Sequence, residues 1–210
     1  MYLNDFFKVH KTIKYLIKVV CFMHLSKPVL KMLIESQSLV TGFDDLDAQL
    51  TANGIDVRVC AIIEITNAGK LAINKQNNVS PKIGKVFVLP GYESRLDGYE
   101  SEEIITTTDF VDLQAGKPYL IVTCEKLKMP RNMMAHLANR SSVFRFTQST
   151  MSFGFIEAGF EGYLTFLLNP SLNGSIQLGA RVAQVAFSML TGESHYGEQK
   201  ETNYQGGKIF

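Results

Sequence analysis

Apolar residues recur along this chain with two different periods. From Met23 onward, Leu30, Leu33 and Ile34 fall three and four positions apart behind Ser26 and Pro28. A capping serine followed by a first-turn proline predicts a helix that ends near Ser36–Ser38. The stretch from Phe43 to Asn53, bordered by Gly42 and Gly54, is polar and turn-like. Past Gly54 the period drops to two. Ile55, Val57, Val59, Ala61 and Ile63 alternate with Asp56, Arg58, Cys60 and Ile62, the pattern of a strand. Short β-branched or aromatic runs follow between turn residues, over Leu71–Ile73, Val86–Leu89, Ile104–Thr108, Tyr119–Cys124, Leu164–Leu168, Ile176–Leu178 and Val182–Leu190. They predict a mainly β chain, a sandwich or distorted barrel with a short N-terminal helix. No helix-length amphipathic pattern separates them, which disfavours a doubly wound α/β fold.

The two ends differ from this middle. In residues 1–22, Lys8, Lys11, Lys14 and Lys18 interrupt Phe6, Phe7, Tyr15, Leu16, Ile17, Val19, Val20 and Phe22. The uncharged run after Lys18 reaches only to Ser26, far short of the ~20 apolar residues of a spanning helix. No membrane span is expected, and the charge order and cleavage site of a signal peptide are missing. We read residues 1–22 as an appended extension and residues 23–191 as the working domain. Residues 192–210 are rich in Gly, Glu, Gln, Asn and Tyr. Tyr204–Gln205–Gly206–Gly207 suits either a frayed tail or a flap that closes over a ligand.

Composition narrows the function classes. With 46% hydrophobic and 20% charged residues over 210 positions, the chain belongs with globular proteins. Twenty-one basic and twenty acidic residues leave a net charge of +1, which argues against nucleic acid as a partner. A small phosphate-bearing ligand needs only a few local donors. Cys21, Cys60 and Cys124 are isolated, with no CxxC pair, and neither His136 nor His195 sits at a metal-ligand spacing from a cysteine. The expectation is free thiols in a reducing, cytoplasmic setting.

Four segments carry candidate chemistry. Asn53–Gly54–Ile55–Asp56 opens a strand with a carboxylate just past a glycine. Asn139–Arg140–Ser141–Ser142 sets a guanidinium beside two hydroxyls, donors suited to phosphate oxygens. Gly154–Phe155–Ile156–Glu157–Ala158–Gly159–Phe160–Glu161–Gly162 is a glycine-punctuated hairpin with an acid and an aromatic ring at its tip. Gly179–Ala180–Arg181–Val182–Ala183–Gln184 starts a strand that carries an amide. Taken singly, each is as well read as ordinary surface or core: a salt-bridged arginine, a solvated turn acid, a buried ring, a sheet-edge glutamine.

In order and spacing, these segments resemble motifs one to four of the trimeric dUTPases, with a divergent fifth in the tail. The resemblance is closest to the longer branch with dCTP deaminases and archaeal deaminase-like dUTPases, and it covers Met23 to about Gly207. Leu127–Lys128–Met129–Pro130 ahead of Arg140–Ser141–Ser142–Val143, and Asn169–Pro170 ahead of the Gly179 segment, are similar to that branch. Tyr204–Gln205–Gly206 resembles its tail.

The resemblance implies a dUTPase-like β-clip, a jelly-roll-like barrel, assembled as a homotrimer. It implies hydrolysis of dUTP to dUMP and diphosphate, which supplies dUMP and keeps uracil out of DNA. Arg140, Ser141, Ser142 and Gln184 would hold phosphate oxygens, and the backbone from Gly154 through Ile156 would read the pyrimidine edge. Phe160 would lie under the deoxyribose and exclude a 2′-hydroxyl. Tyr204 and Gln205 would close over the nucleotide. Glu157 stands where the family has a water-activating aspartate. Mg²⁺ would ride on the substrate phosphates, with Asp56 supporting it through water.

Two positions depart from the family pattern. Glu157 is one methylene longer than aspartate, and a shift of about 1 Å in a catalytic group can cost on the order of a hundredfold in rate. Carrying Gly162 through Asn169 over without a gap puts Leu167 where deaminases of this branch have a proton-shuttling glutamate, and leucine transfers no proton. The zinc-deaminase signature, His-x-Glu with Pro-Cys-x-x-Cys, does not occur. dUTP hydrolysis is therefore the first expectation. Its alternatives are dCTP deamination and a nucleotide-binding relative without catalysis.

Overall fold

A computed structural model describes residues 24–198 and 204–210; the extension expected over 1–22 lies outside the described residues. Helix α1 (Lys27–Gln37) starts where the cap pattern places it, with proline in its first turn. The Ser26 backbone is extended as an N-cap requires, but its hydroxyl makes no capping bond, a correction to the expected cap. Ser38, in a left-handed conformation, ends the helix by donating its backbone N–H to Ile34 O at 3.1 Å. Leu30 and Ile34 are buried on one face, as their spacing requires.

The polar stretch after α1 is more ordered than its composition suggests. It contains β1 (Val40–Thr41), a four-residue helix α2 (Leu46–Gln49) and β2 (Leu50–Thr51). Asp45 caps α2, its Oδ1 accepting from the Ala48 N–H at 3.0 Å. The remaining strands are β3 (Gly54–Asn67), β4 (Lys82–Val88), β5 (Glu103–Thr106), β6 (Phe110–Leu113), β7 (Tyr119–Lys128) and β8 (Met133–Asn139). A short helix α3 (Ser141–Thr147) precedes β9 (Ser149–Ser152), β10 (Phe155–Ile156), β11 (Glu161–Pro170), β12 (Gly174–Gln177) and β13 (Arg181–Met189).

The main sheet runs β10-β8-β13-β3-β7-β11-β9, and β6 pairs with β12 separately. All pairings are antiparallel except β4 with β5. Strand β3 joins the two halves. Its first residues pair with β13; from Val59 it pairs with β7, across a register shift between Val59 and Ala61, and from Ala61 with β4. Such irregularities bend a sheet, giving the curled, mainly β architecture expected.

The strand predicted from alternation at Ile55–Ile63 is present, but its environment is not half-solvated. Asp56, Cys60 and Ile62 are as buried as Ile55, Val57 and Val59. One hydrophobic cluster lies under β3, β8, β11 and β13 and includes Ile55, Val57, Phe166 and Val185. A second packs Cys60, Ile63, Val86, Val122 and Cys124 together. The run Leu71–Ile73 is not a strand. Leu71 is 93% exposed in a loop between β3 and β4, with no neighbouring strand to pair with.

Candidate functional site

The first group of candidate residues forms where β3, β8 and β13 meet. Gly54 opens β3 against β13 so closely that a Cβ there would stand 2.3 Å from Val185 O. This approach puts Asp56 directly across from Gln184 in the β3–β13 register. Asp56 is 4% exposed. Arg140, immediately ahead of α3, forms an ion pair with Asp56, its Nε 2.8 Å from Oδ2, and Arg181 Nη1 lies 3.6 Å from the same oxygen. Arg140 Nη1 also donates to Arg181 O at 2.9 Å.

Burial pushes the Asp56 carboxyl above its ordinary range, against the downward pull of Arg140 and Arg181. The acid is fixed and inward. The two guanidinium groups remain partly open, at 29% and 38% exposure. Ser141 is exposed and Ser142 half-buried at the start of α3. The Gln184 amide donates to the Thr51 hydroxyl.

Behind this group lies a support that the sequence did not announce. Gln49 Nε2 donates to Asp56 O and to Glu125 Oε1, both at 2.9 Å. Glu125 is fully buried and accepts from the backbone N–H and the Nε of Arg58, each at 2.8 Å. A buried carboxylate with this many donors fixes the backbone around it, here the start of β3. Arg181 lies in the Gly179 segment, where nothing in the sequence distinguishes it; the fold sets its guanidinium beside Asp56.

The second group surrounds the hairpin between β10 and β11. Gly154, Ile156, Phe160, Thr165, Leu167 and Tyr204 share a cavity of about 380 Å³. Phe160 is 8% exposed, its ring edge-on to Tyr196 with centroids 6.1 Å apart. Thr165 Oγ1 is buried without a hydrogen-bond partner. Gln205 clamps the hairpin, accepting from Glu161 N–H at 3.4 Å and donating to Gly159 O at 3.3 Å.

The tail crosses β11 on glycines: a Cβ on Gly162 would meet Gly207 N at 2.4 Å, and Gly207 holds φ +82°. Glu157 is exposed in the turn, where its carbonyl accepts from Phe160 N–H at 3.1 Å, and it is not in the cavity wall. Tyr163, Thr165 and Leu167 share the half-exposed face of β11. Glu161, on that face too, pairs with Lys126 at 2.6 Å. No carboxylate or imidazole side chain occurs among the described lining residues.

The structure thus gathers the candidates into two groups within one chain. Asp56, Arg140 and Gln184 stand together, with Ser141 and Ser142 following Arg140. Gly154, Ile156, Phe160 and Tyr204 line the cavity, with Gln205 beside it. None of the first group lines the cavity.

A dCTP deaminase-like family model matches residues 24–190. The chain belongs to this family. Among similar proteins, a "dCTP deaminase, dUMP-forming" of Corynebacterium efficiens is 30% identical over 193 residues, spanning 88% of this chain and 90% of its own. One of the same name from Halobacterium salinarum is 26% identical over 84% of this chain and 86% of its own. A dCTP deaminase of Thermococcus kodakarensis is 30% identical over 65% of this chain and 90% of its own.

The fold is similar to a crystal structure of the 2′-deoxycytidine 5′-triphosphate deaminase from Agrobacterium tumefaciens, with TM-score 0.55, 18% identity and 80% of this chain covered. The chain spans about half of that structure, 48%. Membership in the dCTP deaminase-like family places the chain in the dUTPase and dCTP deaminase superfamily. No helix among the described residues is long and apolar enough to cross a membrane.

Proposed function

We propose that this chain hydrolyses dUTP to dUMP and diphosphate, using a metal ion that enters on the substrate's phosphates. The wall of the hairpin cavity carries this reading. Tyr163, Thr165 and Leu167 line it from β11, and the described lining offers no carboxylate or imidazole. Deamination needs a group beside the base that takes a proton from water and returns it to the leaving ammonia. Leu167 does neither. Diphosphate release needs one base near the α-phosphorus and fixed positive charge on the phosphates.

In this reading Arg140 and Arg181 supply the charge, and Asp56 aims Arg140. Ser141, Ser142 and Gln184 add hydrogen bonds to phosphate. Thr165 Oγ1, buried and unpartnered, offers one hydrogen bond to a polar ligand edge, because such a group is stabilised by any partner it gains. Phe160 sits under the sugar, and Glu157 takes the proton of the attacking water.

Among the described residues no three His, Cys, Asp or Glu side chains stand together as a metal cage. Mg²⁺ would be carried by the nucleotide's phosphates, with Asp56 supporting it through water. When bound, the ion neutralises charge on the phosphates. The arginine group and the hairpin are separate within one chain. A homotrimer that sets one subunit's arginines against its neighbour's hairpin joins them into one site.

A second reading, dCTP deamination coupled to diphosphate release, is favoured by the names of the Halobacterium and Corynebacterium relatives. Incubation with dUTP and with dCTP plus Mg²⁺, followed by ion-exchange separation, distinguishes the two. We expect dUMP from dUTP and no uracil nucleotide from dCTP. dUMP or dUTP appearing from dCTP supports the second reading instead.

A further inference from the structure

The connection between β4 and β5 reaches the hairpin cavity from behind. It contains a single 3₁₀ turn, Glu93–Leu96. Leu96 anchors that turn by burying its side chain in the second hydrophobic cluster. Arg95, one residue earlier, extends against β3 and β7. The register shift between Val59 and Ala61 interrupts the regular ladder there, and the guanidinium fills the interruption. Arg95 Nη2 donates to Cys124 O at 3.0 Å, and Nη1 donates to Thr123 O and, at 3.2 Å, to the Cys60 sulfur.

These bonds hold the guanidinium in one plane, and two aromatic rings pack against it. Its central carbon stands 3.5 Å from the Tyr163 ring centroid and 4.3 Å from that of Tyr92. Both lie well inside the ~6 Å reach of a cation–π contact, and loss of water strengthens such a contact; both tyrosines are half-buried. Tyr163 also lines the hairpin cavity, on the face of β11 that carries Thr165 and Leu167. The same connection holds the tail. Ile209 N–H donates to Tyr99 OH at 2.8 Å, the Phe210 ring lies edge-on to Tyr99 at 6.1 Å, and both tail residues line the cavity.

We propose that Arg95 is a positioning residue for nucleotide binding, one that fixes the Tyr163 ring as a wall of the hairpin cavity. This rests on the reading of that cavity as the substrate's. A tyrosine side chain has several staggered orientations open to it; stacking on a guanidinium that is itself tied to two carbonyl oxygens leaves one. Without the stack the competent cavity is populated for only part of the time, and affinity falls by that fraction. The bonds of Arg95 reach neither the Asp56–Arg140 pair nor the turn of Glu157, so the loss falls on binding. A purely structural role, satisfying the Thr123 and Cys124 carbonyls, predicts a different result.

Equilibrium titration of the full chain with a dUTP analogue carrying an imido group between the α- and β-phosphorus, which is not hydrolysed, reads affinity apart from turnover. Arg95→Met keeps the length and removes both charge and plane. It should bind the analogue at least about threefold more weakly, the low end of one cation–π contact. In a Tyr163→Leu background the same substitution should change affinity by less than about twofold, because its effect runs through the missing ring. If Arg95→Met fails to fold by circular dichroism, Arg95→Lys is the milder variant. It keeps the charge but neither the plane nor the fork, and the same two comparisons apply. Unchanged affinity in the variant, or an equal loss with and without the Tyr163 ring, overturns the proposal. Failure of the unmodified protein to bind the analogue is a distinct result: it removes the cavity as a nucleotide site, and this proposal with it.

Discussion

Arg140 Nε stands 2.8 Å from Asp56 Oδ2, an ion pair between a guanidinium ahead of α3 and an acid at the start of β3. The pair is unequal: Asp56 is buried, and Arg140 is partly open. Truncating Arg140 to Ala leaves a buried carboxylate with Arg181 alone at 3.6 Å. Breaking such a pair costs about 2–3 kcal/mol, near the low end for buried charge pairs because Arg181 remains. For a chain of this size the melting temperature should fall by roughly 5–10 °C. Asp56→Asn keeps the shape and should cost less, yet still weaken nucleotide binding, because the guanidinium is no longer held. Equal affinities for dUTP in Asp56→Asn and the unmodified protein would show that this aiming has no function.

Phe160 is buried against Tyr196 and also lines the hairpin cavity, so its variants mix packing with selectivity. Phe160→Ala is expected to cost several kcal/mol of stability, as truncating a core aromatic does. Phe160→Leu keeps most of the volume and is the cleaner probe. It should narrow the preference for dUTP over UTP in competition binding, with little change in melting temperature. If the unmodified protein binds both nucleotides equally, the ring does not read the sugar.

Much of this arrangement was legible in the sequence, for identifiable reasons. Helix α1 follows from Pro28 and the Leu30–Ile34 spacing, and β3, β7, β11 and β13 follow from β-branched and aromatic runs. Strand β8 was not, because Met-Met-Ala-His-Leu-Ala-Asn has neither strong alternation nor β-branching. Its partners β13 and β10 make it a strand, an override of propensity by tertiary pairing. Helix α3 escaped because seven residues are too few for a periodic signal. Leu71 and Ile73 misled in the opposite sense: they are apolar with no partner strand. That Asp56, Arg140 and Gln184 stand together in the fold agrees with the order of the motifs that carry them. Gln49 and Glu125 were not legible in the sequence, since 76 positions separate the two partners of one hydrogen bond.

The glycine crossing gives a third prediction. Gly207 holds φ +82°, and a Cβ there would stand 2.5 Å from Tyr163 N. Gly207→Ala should lift the tail from β11 while leaving the barrel folded, because the strands do not depend on it. Trypsin should then cut at Lys208 several-fold faster, and KM for dUTP should rise more than kcat falls. Unaltered cleavage would place the tail's anchorage elsewhere, for example at Ile209, whose N–H donates to Tyr99 OH at 2.8 Å.

Glu157 carries the fourth. Removing only its charge, in Glu157→Gln, should lower turnover by at least ~100-fold, the low end of general-base effects, with dUTP affinity little changed. Glu157→Asp reports on geometry: slower turnover means a site built around the longer side chain, and faster turnover means one displaced from an aspartate ancestor. A relative that binds dUTP without hydrolysing it would show no turnover in any of the three proteins. Unchanged turnover in the Gln variant would contradict the role given to Glu157.

The central claim is that a leucine-faced cavity permits diphosphate release and forbids deamination. Ammonia and diphosphate measured side by side, with dCTP and dUTP offered separately to the unmodified protein and Mg²⁺, test it most directly. The account predicts one diphosphate per dUTP consumed and no ammonia from dCTP at any enzyme concentration. Ammonia released from dCTP at a rate comparable to diphosphate release from dUTP would contradict it.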